Sequence, residues 1–449
     1  MRDLNRHILG FYGDDFTGST DAMEALDQYG LKTILFLKLP DQEKLNQFQD
    51  VDCIGVAGTA RAKGLKGMEE EISPVFEFLK EMNPFFVHYK VCSTFDSSPE
   101  VGSIGFASDL ARKYFPDGSY PLLVAAPNLG RYTVFGNHFA KFKEEIYRLD
   151  RHPVMAKHPV TPMDEANLVK HLARQTTQKV VNVNIMDLET KSVSEINQQE
   201  NKEADIVLYD ALNNSHMEKV SEVLWEKRDE EIQFIVGSSG VEYALGDAMQ
   251  RHGDVQRKER DTKPTKVKKI FAVSGSVSEV TKQQLDKAEK AGFHLLRIPY
   301  ELFSDDSKVH SFLLKVAKRI EEDKKVIIYT ARGADDPHIS KTREHLMNHG
   351  VKREDIGIFI GEKLGKWIKQ LLDIVELQRV IISGGDTSGF VTSNLDIYAL
   401  EVIDSIAPGA PLCLAYSERA KFDRLEISLK SGQLGGPEYF EKVYQSGSK

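Results

Sequence analysis

The feature that most constrains this chain is a repeated alternation of two patterns. Short runs rich in β-branched and aromatic residues fall at 7–12, 32–37, 52–57, 85–89, 122–126, 180–184, 206–209 and 234–236. Between them lie longer segments with helical patterning, such as 19–29 and 69–82. A chain that alternates this way is expected to form a parallel sheet covered by helices on both faces.

The alternation halts at VQRKERDTKPTKVKK, residues 255–269, which carries seven Lys/Arg, two Asp/Glu and two aliphatic residues. Such a segment reads as an exposed linker. Beyond it the pattern restarts, with strand-like runs at 270–274, 294–298, 325–330, 379–383, 412–416 and 424–429. Helix-like segments lie at 278–291, 311–322 and 362–377. The expected class is α/β, with two domains, each a mainly parallel sheet covered by helices. The boundaries are 1–254, a linker at 255–269, and 270–449. A length of 449 residues accords with two or three domains of roughly 150 residues each.

Charge and cysteine usage exclude several classes. The net charge is −9, which disfavours a nucleic-acid binder, since that needs a basic face. The linker could serve as a basic arm, but it has no interleaved aromatics. The three cysteines, Cys53, Cys92 and Cys413, are far apart with no CxxC pair, so neither a disulfide scaffold nor a structural zinc site is expected. The start has no long apolar stretch of a signal peptide, and no run approaches the roughly 18 apolar residues of a membrane helix. A cytoplasmic protein with neither nucleic-acid nor membrane partners is expected. Walker-type GxxxxGK[ST], GxGxxG after a strand, HExxH and GxSxG are all missing.

Three strand–turn–helix junctions carry polar tips. In HILGFYGDDFTGSTDAMEAL, residues 7–26, a strand runs into Gly13, Asp14 and Asp15, with a helix expected from about Ser19. Ligands of open α/β sheets bind beyond the carboxyl ends of strands. Adjacent carboxylates there suit hydroxyl-rich ligands, although a capped turn has the same appearance. A haloacid-dehalogenase-type phosphatase needs aspartates two apart, and Phe16 stands where the second would be. In IFAVSGSVSEVTKQQL, residues 270–285, Ser274, Gly275 and Ser276 precede a helix. In RVIISGGDTSGFV, residues 379–391, Gly384, Gly385, Asp386 and Thr387 do the same. Both turns suit an anion held by backbone N–H groups, and Asp386 could serve a nucleotide-bound Mg²⁺. Lys90, Arg131 and His138 follow other strands and together supply the cations a carboxylate ligand would need. Lys430 sits in a Gly-rich turn near the end, which also reads as a terminal loop.

In order, the chain contains GDDFTG (13–18), YKVCST (89–94), GRYTVFGNH (130–138), HPVTPMDEANL (158–168), VGSSG (236–240), VSGSVSEVT (273–281), SGGDTS (383–388), PGAPL (408–412) and LKSGQLGG (429–436). This series resembles the four-carbon acid sugar kinase family along almost the whole length. The resemblance implies an N-terminal domain for the acid sugar and a C-terminal domain for ATP with Mg²⁺. It implies Asp14, Asp15, Lys90, Thr94, Arg131 and His138 on the substrate side. On the nucleotide side it implies Ser274 or Ser276, Gly384, Gly385, Asp386, Thr387 and Gly432, with Asp386 at the metal. Asp15 is expected to orient the acceptor hydroxyl as base, with Asp386 as second candidate, and Asp14 to bond sugar hydroxyls. Where many members read K-x-D-S-T-x-R-G, this chain has Cys92 and Asp96 in place of an acid and a base. The expected activity is phosphorylation of a terminal hydroxyl on a tetronate or oxo-tetronate. The alternative is 3-oxo-isoapionate, a branched acid sugar. A sensor without turnover and a sugar-phosphate lyase or isomerase are the readings from other classes. A homodimer is left open.

Overall fold

The computed structural model describes residues 6–158, 160–228, 231–253, 260 and 262–448, with only the backbone at 199–203 and 386. The chain divides into two compact units, Met1–Glu259 and Arg260–Lys449.

The N-terminal unit contains an eight-stranded sheet made of β1 (Leu9–Gly13), β2 (Thr33–Phe36), β3 (Cys53–Ala57), β4 (Phe86–Lys90), β5 (Tyr120–Leu123), β9 (Val180–Val183), β10 (Ile206–Tyr209) and β11 (Gln233–Gly237). Their order is β2-β3-β1-β4-β11-β5-β10-β9, and every neighbouring pair is parallel. β1 and β4 are buried at all five positions, so both faces are covered. That explains why these runs are continuously apolar rather than alternating. On one face Phe76 and Leu79, from the helix Leu65–Met82, pack with Tyr12, Val87 and Tyr89. A separate antiparallel sheet of β6 (Arg131–Val134), β7 (Asn137–Phe142) and β8 (Glu145–Arg148) was not signalled by the strand–helix alternation.

In the C-terminal unit the strands are β12 (Ile270–Ser274), β13 (His294–Arg297), β14 (Lys325–Tyr329), β15 (Arg379–Ser383), β16 (Ile397–Asp404), β17 (Leu412–Ser417) and β18 (Glu426–Lys430). The order is β13-β14-β12-β15-β18-β17-β16. The first five are parallel, and β17 runs antiparallel to both β18 and β16. β16 lies where no strand is expected from the sequence. Its half-buried positions, Tyr398 and Glu401, break the apolar run.

In each unit the strand order reverses at one place. β1 leads outward to β2 on one side, and β4 begins the opposite side. β12 leads outward to β13, and β15 begins the opposite side. Loops leave such a switch point in opposite directions and open a crevice. The polar tips after β1 and β4, and after β12 and β15, are therefore the ones that topology brings to crevices.

Of the segment expected as linker, 255–259 and 261 lie outside the described residues. Part of the remainder belongs to the C-terminal unit. Thr265 donates from its backbone N and Oγ1 to Glu426 Oε1, at 2.7 and 2.8 Å, and Val267 is buried. All three cysteines are free thiols. Among the described residues no helix is long and apolar enough to cross a membrane.

Arg379 closes the C-terminal unit. Its side chain is fully buried and donates to Glu426 Oε2 at 2.7 Å, to the carbonyls of Val443 and Ser446 at 2.6 and 2.9 Å, and to that of Thr265 at 2.6 Å. Removing one partner of a buried pair leaves the other charge uncompensated. Arg379→Ala is expected to lower the urea unfolding free energy of this unit by about 3–5 kcal/mol. A loss too small to measure would contradict the clamp.

Candidate functional site

At the N-terminal crevice Gly13 and Lys90 are register partners at the ends of β1 and β4, and the Asp14 amide donates to the Lys90 carbonyl at 3.0 Å. A Cβ on Gly13 would stand 2.1 Å from Ser19 Oγ, so the turn accepts only glycine there. The helix begins at Phe16, earlier than expected. Asp15 is its N-cap, and its Oδ1 accepts from the Gly18 amide at 2.9 Å.

The acid pair is held by Arg61, a residue that sequence reasoning missed. Its Nη2 donates to Asp14 Oδ1 and to Asp15 Oδ1, each at 2.6 Å, and its Nε reaches Asp14 Oδ2 at 3.3 Å. The signal for it was a lone arginine just beyond the strand 53–57. Burial opposes the Arg61 charge, but Asp14 and Asp15 outweigh it and hold its pKa well above the ordinary value. Burial also pushes the Asp14 carboxyl above its usual range, against the pull of Arg61. The two aspartates thus differ. Asp14 has 2% side-chain exposure and both oxygens on Arg61. Asp15 has 28% and keeps Oδ2 without a hydrogen bond among the described residues. Asp15 thus keeps an oxygen to offer a ligand hydroxyl, whereas both oxygens of Asp14, expected to bond sugar hydroxyls, are engaged by Arg61.

Lys90 is buried, and its Nζ lies 3.5 Å from Asp21 Oδ2. Burial disfavours the ammonium, but Asp21 and Asp15 win and raise its pKa. After β4 the loop turns through Phe95, whose backbone φ of 57° is unusual for a buried aromatic. Here Cys92 Sγ lies 2.9 Å from Thr94 Oγ1, which donates to Asp96 Oδ1 at 2.6 Å. Burial keeps the Cys92 thiol above its ordinary pKa. Thr94, expected to touch substrate, spends its proton inside this relay.

His138, expected on the substrate side, also turns inward. It is fully buried, with Nε2 at 2.8 Å from the Ser93 carbonyl and Nδ1 at 2.9 Å from Thr133 Oγ1. A carbonyl can only accept, so Nε2 carries the proton and Nδ1 accepts from Thr133. With both ring nitrogens taken, His138 positions the 93–96 loop. Asp210, also missed, does the same for the neighbouring turn by accepting from the Phe135 and Gly136 amides.

Arg131 is the opposite case. Its Nη1 reaches three carbonyls, of Leu129, Gly130 and Lys141, at 3.2–3.3 Å, while its Nε is buried without a partner. Burial pulls its pKa down, and Cys92 and Asp96 offset this only in part. Among the described residues it has no ion pair, and a guanidinium so placed suits a carboxylate.

In the C-terminal crevice Ser274, Ser383 and Lys430 end three adjacent strands in register. The helix Glu279–Lys290 is capped by Ser278, which accepts from the Thr281 amide at 3.0 Å. Ser276 Oγ accepts from Thr281 Oγ1 at 3.0 Å and from the Ser278 amide at 3.2 Å, so its hydroxyl shapes the turn. Ser274 Oγ is buried without a partner among the described residues. Gly384, at φ 134°, leads directly into the helix Gly385–Asn394. A Cβ on Gly384 would stand 2.9 Å from Thr387 Oγ1, and one on Gly432 would stand 2.3 Å from Ser276 Oγ. Glycines thus keep a concave floor open between two helix N-termini, a geometry fitted to phosphate. The Asp386 side chain, expected at the metal, lies outside what is described. Among the described residues no group of three His, Cys, Asp or Glu could hold a metal ion. Mg²⁺ held mostly by phosphates and water needs only one or two protein carboxylates.

Residues 9–245 match a family described as a sugar-binding N-terminal domain, and residues 271–440 one described as a nucleotide-binding C-terminal domain. A 3-oxo-isoapionate kinase of Paraburkholderia graminis is 40% identical, over 97% of this chain and 94% of that protein. A 3-oxo-tetronate kinase of Pseudomonas fluorescens is 26% identical, over 98% and 96%. Among solved structures, a Salmonella typhimurium LT2 protein superposes with a TM-score of 0.81 at 21% identity, covering 97% of this chain and 98% of that one. A Haemophilus influenzae protein superposes with 0.75 at 23%, covering 98% and 100%. At those identities the likeness concerns the fold.

The buried histidine has a consequence for stability. The His138 pKa is pushed down to about 4, chiefly by burial, from an unfolded value near 6.5. The stability it contributes is present above pH 6.5 and is lost as pH falls toward 4, because the unfolded chain takes up the proton first. In His138→Gln the unfolding free energy measured from pH 7 to pH 4 is expected to fall less steeply, by about one proton's worth, or ~1.4 kcal/mol per pH unit at most. An unchanged slope would contradict the neutral, inward-facing ring.

Proposed function

The chain belongs to the four-carbon acid sugar kinase family, and we propose that it transfers the γ-phosphoryl group of ATP to a hydroxyl of a branched acid sugar of the 3-oxo-isoapionate type. The observation that carries the substrate is the much higher identity to the 3-oxo-isoapionate kinase than to the 3-oxo-tetronate kinase, over comparable lengths. The Cys92–Thr94–Asp96 relay supports it, because it stands where the commoner loop has an acid and a base.

In this reading Arg131 takes the substrate carboxylate and Lys90 a neighbouring oxygen. Asp15 Oδ2 accepts the proton of the attacking hydroxyl, whose oxygen forms a bond to phosphorus as the bond to the ADP oxygen breaks. Arg61 holds Asp15 Oδ1 and so aims its other oxygen. The turns 274–278 and 384–387 and the glycine at 432 hold the phosphates by backbone N–H groups. Asp386 would hold Mg²⁺, which supplies charge neutralisation when bound.

Coupled measurement of ADP release tests this. Release is expected with 3-oxo-isoapionate and at lower kcat/KM with 3-oxo-tetronates. Release with none of the acid sugars would leave a sensor as the better reading. Asp15→Asn should lower kcat by on the order of 100-fold or more, and near-full activity would displace the base assignment. Arg131→Met should raise KM for the acid sugar about tenfold or more while leaving KM for ATP unchanged. Equal changes in both would contradict a carboxylate contact.

A further inference from the structure

Lys430 ends β18, and the segment that starts there touches both phosphate-type turns. Its carbonyl accepts from the Gly384 amide at 2.9 Å, joining it to one turn. Two residues on, the Gly432 carbonyl accepts from Ser278 Oγ and from Thr281 Oγ1, joining it to the other. The lysine side chain does not leave this junction for water. It is 1% exposed, and its Nζ donates to Ser383 Oγ at 3.1 Å. The Tyr439 ring lies on its other side, 5.7 Å away, with its hydroxyl engaged by Ser428 and the Ala410 carbonyl. Among the described residues no carboxylate pairs with it.

Next in the row, beyond Ser383, is Ser274, whose buried hydroxyl has no partner among the described residues. A buried ammonium with one neutral hydrogen bond is costly to the fold. Burial draws the Lys430 pKa down to about 7, with no opposing charge among the described residues. Nothing in the strand requires a lysine. The adjoining residues of this face, Ile381 and Leu412 among them, form an apolar core.

We propose that Lys430 is a cation of the nucleotide site, set with the Ser383 and Ser274 hydroxyls, whose charge a nucleoside polyphosphate on the two adjoining turns would answer. It is a positioning residue, acting by charge on phosphates that the backbone holds. The inference rests on the nucleotide reading of the C-terminal unit and adds to it the residue on which polyphosphate affinity depends.

The experiment is calorimetric titration and thermal unfolding of the full-length protein and Lys430→Met, with ADP and adenosine as probes. In the variant, ADP affinity should fall about tenfold or more while adenosine affinity stays unchanged. The ligand-free variant should melt at the same temperature as the parent or higher, since a buried unpaired charge has gone. Unchanged ADP affinity, an equal loss for adenosine, or a ligand-free variant that melts lower or does not fold would each overturn the proposal. Ser383→Ala, which keeps the charge, should retain ADP affinity far better than Lys430→Met, and an equal loss would count against it. Failure of the unmodified protein to bind ADP would instead refute the nucleotide reading.

Discussion

A charge taken out of water must be answered by an opposite charge, and this constraint orders both halves of the molecule. In the N-terminal unit the parallel register delivers two adjacent carboxylates to a buried strand end, where they would repel each other. Arg61 resolves the conflict by chelating Asp14 and bridging to Asp15. The result is asymmetric. One carboxylate has both oxygens on Arg61, and the other is committed through a single oxygen to Arg61 and the helix cap.

Elsewhere the same accounting is left open. Arg131 and Lys430 are cations drawn down by burial, and among the described residues neither has a carboxylate in an ion pair with it. Each stands at the mouth of a parallel sheet, one in the sugar-binding unit and one in the nucleotide-binding unit. Proteins keep such groups where a ligand completes them. An acid sugar and a polyphosphate are the anions that would do so. A chain of net charge −9 therefore relies on a few placed cations and on backbone N–H groups, not on a general positive field.

Much of this was legible in the sequence, and what was missed has a physical pattern. The central strands read clearly because both faces are buried, which makes Leu9–Gly13 and Ile270–Ser274 continuous apolar runs. The two crevices followed from Gly and Asp at strand ends. The hairpin strands Arg131–Val134 and Asn137–Phe142 were not legible, because half-buried residues interrupt their pattern. Arg61 was not legible either: a lone arginine beyond a strand was its one signal, and its partners lie 46 and 47 residues away. His138 and Thr94 stood at the right place in the chain, but sequence cannot say which way a side chain turns. Both turned inward, toward Ser93 and Asp96.

The central claim is phosphoryl transfer between the two ligands these units are built to hold. Phosphorus NMR of the protein with ATP, Mg²⁺ and 3-oxo-isoapionate measures it directly. The account predicts ADP and a new phosphomonoester appearing in equal amounts. ADP with inorganic phosphate and no phosphomonoester, or no loss of ATP, would contradict it.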